Sequence, residues 1–292
     1  TPATPAERRA ALVGLAYVPI VLDEASIDAY LEATGESHPL YARQAGGGLA
    51  PPFFTTMVRF VKASLGGRWP SGTIQLDHRV SMLRALRRGE SLTLDARCGR
   101  IDALKGRPRF EILSTLRDGS GAVAGTQSSA SLWAGPPPPA AQAPGSTGST
   151  GSTGLQSAAP DADGHGPVDR TAALGPLTDI FPMARVRAFG EVARALDPIH
   201  VDTAFARGTR FGVNIVQGRL VMTLLSRLLL EHHGGRWVNG GHLDVRFVRP
   251  VRVGEPISAW AIPQPGNPRA YRVWCENARH ERVIDGEGRI GS

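Results

Sequence analysis

Apolar residues in this chain recur at two spacings, and the change from one to the other happens twice. Over roughly residues 24–34 apolar side chains return every three to four positions, as on one face of a short helix. A polar loop follows, then a longer apolar stretch at roughly 52–65 that reads as a second helix. Beyond it the spacing drops to two: 73–83, 91–101, 109–116 and 122–133 alternate as half-buried strands do. The same order restarts with a helix at roughly 184–196 and an apolar helix at roughly 216–232. It closes with strands at 241–248, 256–262, 270–275 and 282–289. A central helix followed by consecutive antiparallel strands that wrap around it describes an α+β unit. Two such units in one chain can pair their sheets side by side.

The two units also share residues. Gly66-Gly67-Arg68-Trp69 returns as Gly234-Gly235-Arg236-Trp237, and Leu76-Asp77-His78-Arg79 as Leu243-Asp244-Val245-Arg246. Each copy runs on to a Gly-Glu turn, Gly89-Glu90 and Gly254-Glu255, and Pro39-Leu40-Tyr41 stands where Pro198-Ile199-His200 stands later. Matches in a conserved order indicate internal duplication. Between them, 136–168 turns to Pro, Ala, Gly, Ser and Thr, with a Gly-Ser-Thr triplet repeat at 145–154. Such a segment buries little apolar surface and is expected to be a flexible linker. The expected division is therefore 1–135, linker 136–168, and 169–292.

Charge narrows the partners. The formal net charge is +7, but it is almost all arginine, Lys62 and Lys105 being the only lysines. The arginines are scattered among apolar strand residues, with no basic run interleaved with aromatics, which argues against nucleic acid. A basic balance suits an anionic small molecule or an acidic carrier. No apolar run is long enough to span a bilayer and the first residues lack a signal-peptide core, so a cytoplasmic protein without membrane contact is expected. Cys98 and Cys275 lack metal-ligand spacing and read as free thiols. No glycine-rich dinucleotide fingerprint is present, so neither metal, nicotinamide nor flavin is expected.

Little in the chain points to chemistry except Asp197-Pro198-Ile199-His200-Val201-Asp202, followed by Ile215-Val216-Gln217-Gly218-Arg219-Leu220 at the start of the second apolar helix. A histidine near a glycine-led helix N-terminus sets a proton-transfer group beside free backbone N–H donors. That pairing suits reactions next to a thioester carbonyl, where negative charge builds on oxygen. His200 is the candidate base, Gly218 the oxyanion donor, and Gln217 can orient the carbonyl or the water. Asp197 reads equally as a general acid or as a turn residue, and Asp202 as a helix N-cap. Arg219 either binds an acidic acyl group or faces solvent. Glu36, without a histidine at Tyr41, is expected to be a solvated loop carboxylate, and His38 is its conceivable partner.

This arrangement resembles the MaoC-like, type-2 enoyl-CoA hydratase/dehydratase family of double hotdog proteins, and the likeness covers nearly all of the chain outside the linker. The residues that carry it are Pro198-Ile199-His200-Val201-Asp202, Ile215-Val216-Gln217-Gly218 and Val248-Arg249-Pro250-Val251-Arg252-Val253-Gly254-Glu255. The resemblance implies a double hotdog fold and reversible hydration of enoyl thioesters, with coenzyme A or phosphopantetheine as a substrate handle rather than a cofactor. It also implies a degenerate N-terminal half. Three positions depart from the family pattern. The family's acid, five residues before its histidine, is Ala195; Asp197 replaces the usual Asn or His; Gln217 replaces a histidine. A hotdog thioesterase is disfavoured because neither apolar helix carries a carboxylate in its first turns. A non-catalytic acyl-thioester binding or scaffold subunit stays open, as do CoA against carrier protein and association into a homodimer.

Overall fold

A computed structural model describes residues 18–43, 47–64, 73–133 and 170–292. The linker expected at 136–168 and the first copy of the Gly-Gly-Arg-Trp motif at 66–69 lie outside the described residues. The N-terminal half runs β1 (Val18–Val21), α1 (Glu24–Thr34), a two-residue strand β2 (Leu49–Ala50), a 3-10 turn Pro52–Thr56 and α2 (Val58–Ser64). It continues with β3 (Thr73–Gln75), β4 (Asp77–Met82), β5 (Leu86–Arg87), β6 (Ser91–Leu104), β7 (Arg107–Arg117) and β8 (Val123–Trp133). The C-terminal half runs β9 (Leu174–Ile180), α3 (Met183–Ala193), α4 (Pro198–Val201), α5 (Thr203–Arg207), α6 (Gly218–His233) and α7 (Gly235–Val238). It then closes with β10 (His242–Phe247), β11 (Pro256–Gln264), β12 (Asn267–Asn277) and β13 (Arg282–Arg289).

One antiparallel sheet passes through both halves in the order β1-β6-β7-β8-β4-β10-β13-β12-β11-β9, with β3 attached to β8. The halves meet where β4 pairs with β10, and there the duplicated motif pairs with its own copy. His78 faces Val245, with Asp77 opposite Arg246 on one side and Arg79 opposite Asp244 on the other. An approximate two-fold axis therefore passes through the His78–Val245 pair. The symmetry is not kept by the side chains. Arg79 closes on Asp244 at 2.5 Å, whereas Asp77 accepts a bond from the Ala130 backbone at 2.9 Å.

The apolar spacing located both helix-and-sheet units, but each begins earlier than expected. β1 and β9 precede the first helix of their halves and form the two outer edges of the sheet. Both are short and partly exposed, so neither carries a long alternation.

The two central helices differ. α6 is sixteen residues long and has buried residues around most of its circumference, including Leu220, Val221, Leu224, Leu225, Leu228 and Leu229. A helix apolar on nearly all sides must be enclosed, and α6 packs against β9, β11 and β12. Its counterpart, expected as one helix over 52–65, is broken at Met57, whose ψ of 138° is extended. Two prolines open the segment, and Thr55 and Thr56 turn their hydroxyls onto the Pro52 and Phe53 carbonyls at 3.2 and 2.8 Å. Such back-bonding competes with helix continuation. The break frees two carbonyls. Gln127 Nε2 donates to Thr55 O at 3.3 Å, and Arg219, from the tip of α6, donates to Thr56 O.

Candidate active site

Both halves end their first helix with a residue in the left-handed region. Gly35 (φ 69°) does so after α1 and Arg194 (φ 56°) after α3. Glycine takes this conformation freely, while arginine pays roughly 1 kcal/mol for it. The next residues are Glu36 and Ala195, so the two loops carry an acid and an alanine at matching places.

In the C-terminal loop Pro198 opens α4, and the His200 N–H donates to Asp197 O at 2.9 Å. Asp202 then caps α5, accepting from the Phe205 N–H at 3.0 Å, as its position implied. Thr203 and Ile199 hold Asn214 from both sides, at 2.9 and 3.2 Å. Val216 and Val253 tie 214–216 to 251–253 by backbone bonds of 2.8 and 3.1 Å. This lattice fixes the approach to α6.

His200 Nδ1 lies 2.9 Å from Ile215 O. A carbonyl only accepts, so Nδ1 carries the proton and Nε2 presents a lone pair. Burial pushes the imidazole below its usual range of about 6.5, while the Ile215 bond and the Asp197 charge pull it back up. The ring is thus neutral, with a defined tautomer. Asp197 does not cap α4 with its side chain, so the turn-residue reading of its carboxylate has no hydrogen bond to support it. Its electrostatic partner is His200.

Leu220 and Val221 donate back to Gln217 O, which leaves the Gly218 and Arg219 N–H groups at the open tip of α6. A Cβ on Gly218 would lie 2.8 Å from the Phe247 ring, so glycine is required by close packing there. Gln217 is buried, and its Nε2 is committed to Val186 O and Ala195 O at 2.9 and 3.2 Å. The amide nitrogen therefore does not point to a substrate; the Oε1 atom is buried without a partner. Arg219 is not a solvent-facing side chain. Its Nε donates to Gln75 Oε1 at 3.2 Å, across the seam into the other half.

Four sequence-selected residues, His200, Asp197, Gln217 and Gly218, thus gather at one helix tip, with Arg219 leaving it toward the N-terminal half. Glu36 corrects an expectation. It is 6% exposed, both carboxyl oxygens lack partners, and burial raises it to about 8. His38 does not pair with it; its Nδ1 accepts from the Leu40 N–H at 3.2 Å. Sequence reasoning also passed over His78 and Gln75. The signal was present, because alternation with Val80 and Met82 puts His78 on the inner face of its strand.

Residues 167–262 match the family model described as MaoC like domain. A curated relative, the (R)-specific enoyl-CoA hydratase of Aeromonas caviae, is 35% identical over 83 residues, which are 28% of this chain. The match spans 62% of that relative's length. Among solved structures, a MaoC-like dehydratase from Phytophthora capsici superposes with a TM-score of 0.72 at 16% identity, covering 98% of each chain. A conserved Mycobacterium tuberculosis protein described as a double hotdog fold superposes at 0.61 with 14% identity, covering 95% of each chain. At such identities the structures speak for the fold alone. Motif, family match and fold agree: the chain has a double hotdog fold, and residues 167–262, in its C-terminal half, carry a MaoC-like domain.

Proposed function

We propose that the protein adds water to enoyl thioesters, or in reverse dehydrates (R)-3-hydroxyacyl thioesters, at the tip of α6. The observation that supports this reading is the His200–Ile215 bond, which leaves the Nε2 lone pair free and ties the ring to the chain three residues before the glycine-led start of α6. In the hydration direction Nε2 removes a proton from water as the oxygen attacks the β-carbon. The electrons move to the thioester oxygen, which the Gly218 N–H and the helix dipole stabilise. The imidazolium then returns the proton to the α-carbon, so water is added in full and His200 is regenerated. Asp197 favours that imidazolium through its charge. The reaction as written needs no cofactor; coenzyme A or a phosphopantetheine carrier is the handle of the substrate.

The rival reading is a thioester-binding subunit without turnover, and Ala195 in the acid's place is the observation in its favour. Incubation with a panel of enoyl-CoAs, following loss of the conjugated thioester absorbance, separates them. His200→Ala is expected to lower turnover by roughly 100- to 10,000-fold, the range of a general base. Binding without turnover in the wild type supports the rival, and release of free thiol identifies a thioesterase.

A further inference from the structure

The seam between the halves holds a polar chain with one free end. Arg219 donates to Gln75 Oε1 at 3.2 Å, which fixes the orientation of that amide. Gln75 Nε2 then donates to Asp77 O at 3.2 Å and faces His78 Nδ1 at 3.0 Å. His78 is 1% exposed, and both its burial and the nearby Arg219 charge keep it neutral. A neutral imidazole that accepts at Nδ1 carries its proton on Nε2. That Nε2–H is buried and has no acceptor. Arg219 bonds only neutral oxygens, Gln75 Oε1 and Thr56 O, and forms no ion pair among the described residues. A strut between halves would need neither a full charge without a counter-ion nor an idle N–H donor. Buried donors and cations in this state lack an anionic acceptor.

The position says whose acceptor it is. His200 is anchored at Ile215 and Arg219 leaves the helix one residue after Gly218, so the two flank the proposed thioester site. We propose that Arg219 and His78, aligned by Gln75, bind an anionic group on the acyl chain, and that the preferred substrates are short thioesters bearing a terminal carboxylate. This rests on the α6 tip being the thioester site, as argued above.

Binding of two saturated four-carbon thioesters, succinyl-CoA and butyryl-CoA, to the full chain tests this by calorimetry without any turnover. They differ in the terminal carboxylate alone. Succinyl-CoA is expected to bind on the order of 10- to 100-fold more tightly, the strength of a charge-assisted bond. Arg219→Met brings that ratio close to one, His78→Leu lowers it, and Arg219→Lys keeps part of it. Thermal unfolding of each variant confirms that it is folded. Equal affinities in the wild type, or a ratio that survives Arg219→Met, overturn the proposal. Failure of every enoyl thioester to react, with the ratio intact, sinks the hydratase reading and leaves carboxylate recognition standing; no binding of either thioester overturns both.

Discussion

Replacing Glu36 by Gln is expected to make the protein more stable, and increasingly so as the pH rises. The carboxyl sits behind the left-handed turn at Gly35, beside Tyr30 and Tyr41, whose hydroxyls also lack partners. Tyr30 is packed between Phe54 and Phe189, at 5.7 and 6.2 Å, so no water-like surroundings solvate a charge there. Arg227 offsets part of the burial, and the group still rises from 4.5 to about 8. A carboxyl raised in the folded state favours its proton there. Below pH 4.5 both states are protonated and nothing is lost. From there to pH 8 the unfolded chain ionises while the folded one does not, and stability falls. Above pH 8 the loss levels off. With the two values above, linkage puts the loss at about 1 kcal/mol at pH 5, about 3 kcal/mol at pH 7 and about 4 kcal/mol at pH 8. Glutamine keeps the shape and cannot ionise. Urea unfolding followed by tryptophan fluorescence, for both proteins at half-unit steps from pH 5 to 8, reads the difference directly. The gap between the two curves should widen by about 3 kcal/mol across that range. Parallel curves would show that Glu36 is solvated or paired in solution and would refute the argument.

Three further outcomes follow from the same geometry. Because His200 is depressed below 6.5, the acid limb of kcat/KM should lie below that pH, and Asp197→Asn should move it lower still by removing the charge that raises it; a limb above pH 7 contradicts the assigned base. Gly218→Ala drives a Cβ into the Phe247 ring, which should cost about 1–3 kcal/mol by overpacking and reduce turnover. A double-mutant cycle with Phe247→Leu should show the two changes to be coupled, and strict additivity would count against that contact. Leu224→Ala, in the enclosed face of α6, should cost about 2–5 kcal/mol in denaturant unfolding, whereas Arg79→Ala at the exposed end of the seam should cost less than about 1 kcal/mol; the reverse order would misplace the core.

Much of the architecture was legible because burial writes its period into a chain. The run from Leu220 to Leu230 can be satisfied only inside a sheet, and the alternation in β4, β6, β7 and β11 marks strands with one covered face. The duplication showed that two such units exist, and Pro198-Ile199-His200 with Gln217-Gly218 marked the candidate site. The break at Met57 was not legible, because Phe53, Phe54 and Phe60 supply apolar residues whether or not the helix is continuous. Glu36 was misjudged for a related reason. A carboxylate in a polar loop is usually solvated, and here tertiary packing brings Tyr30, Tyr41 and Arg227 around it and leaves it 6% exposed.

The sequence by itself determined the long apolar helix and most of the alternating strands, that the plan occurs twice, and which histidine lies a short loop before a glycine-led helix start. These are local properties, set by side-chain period and by a few residues of loop. The tertiary structure decided the rest. It chose the tautomer of His200 through Ile215 O, committed the Gln217 amide nitrogen to the Val186 carbonyl, and joined Arg219 to Gln75 and His78 across the seam. Each of these depends on groups far apart in the chain meeting where water is scarce, and there the partner of a polar atom determines what it can do.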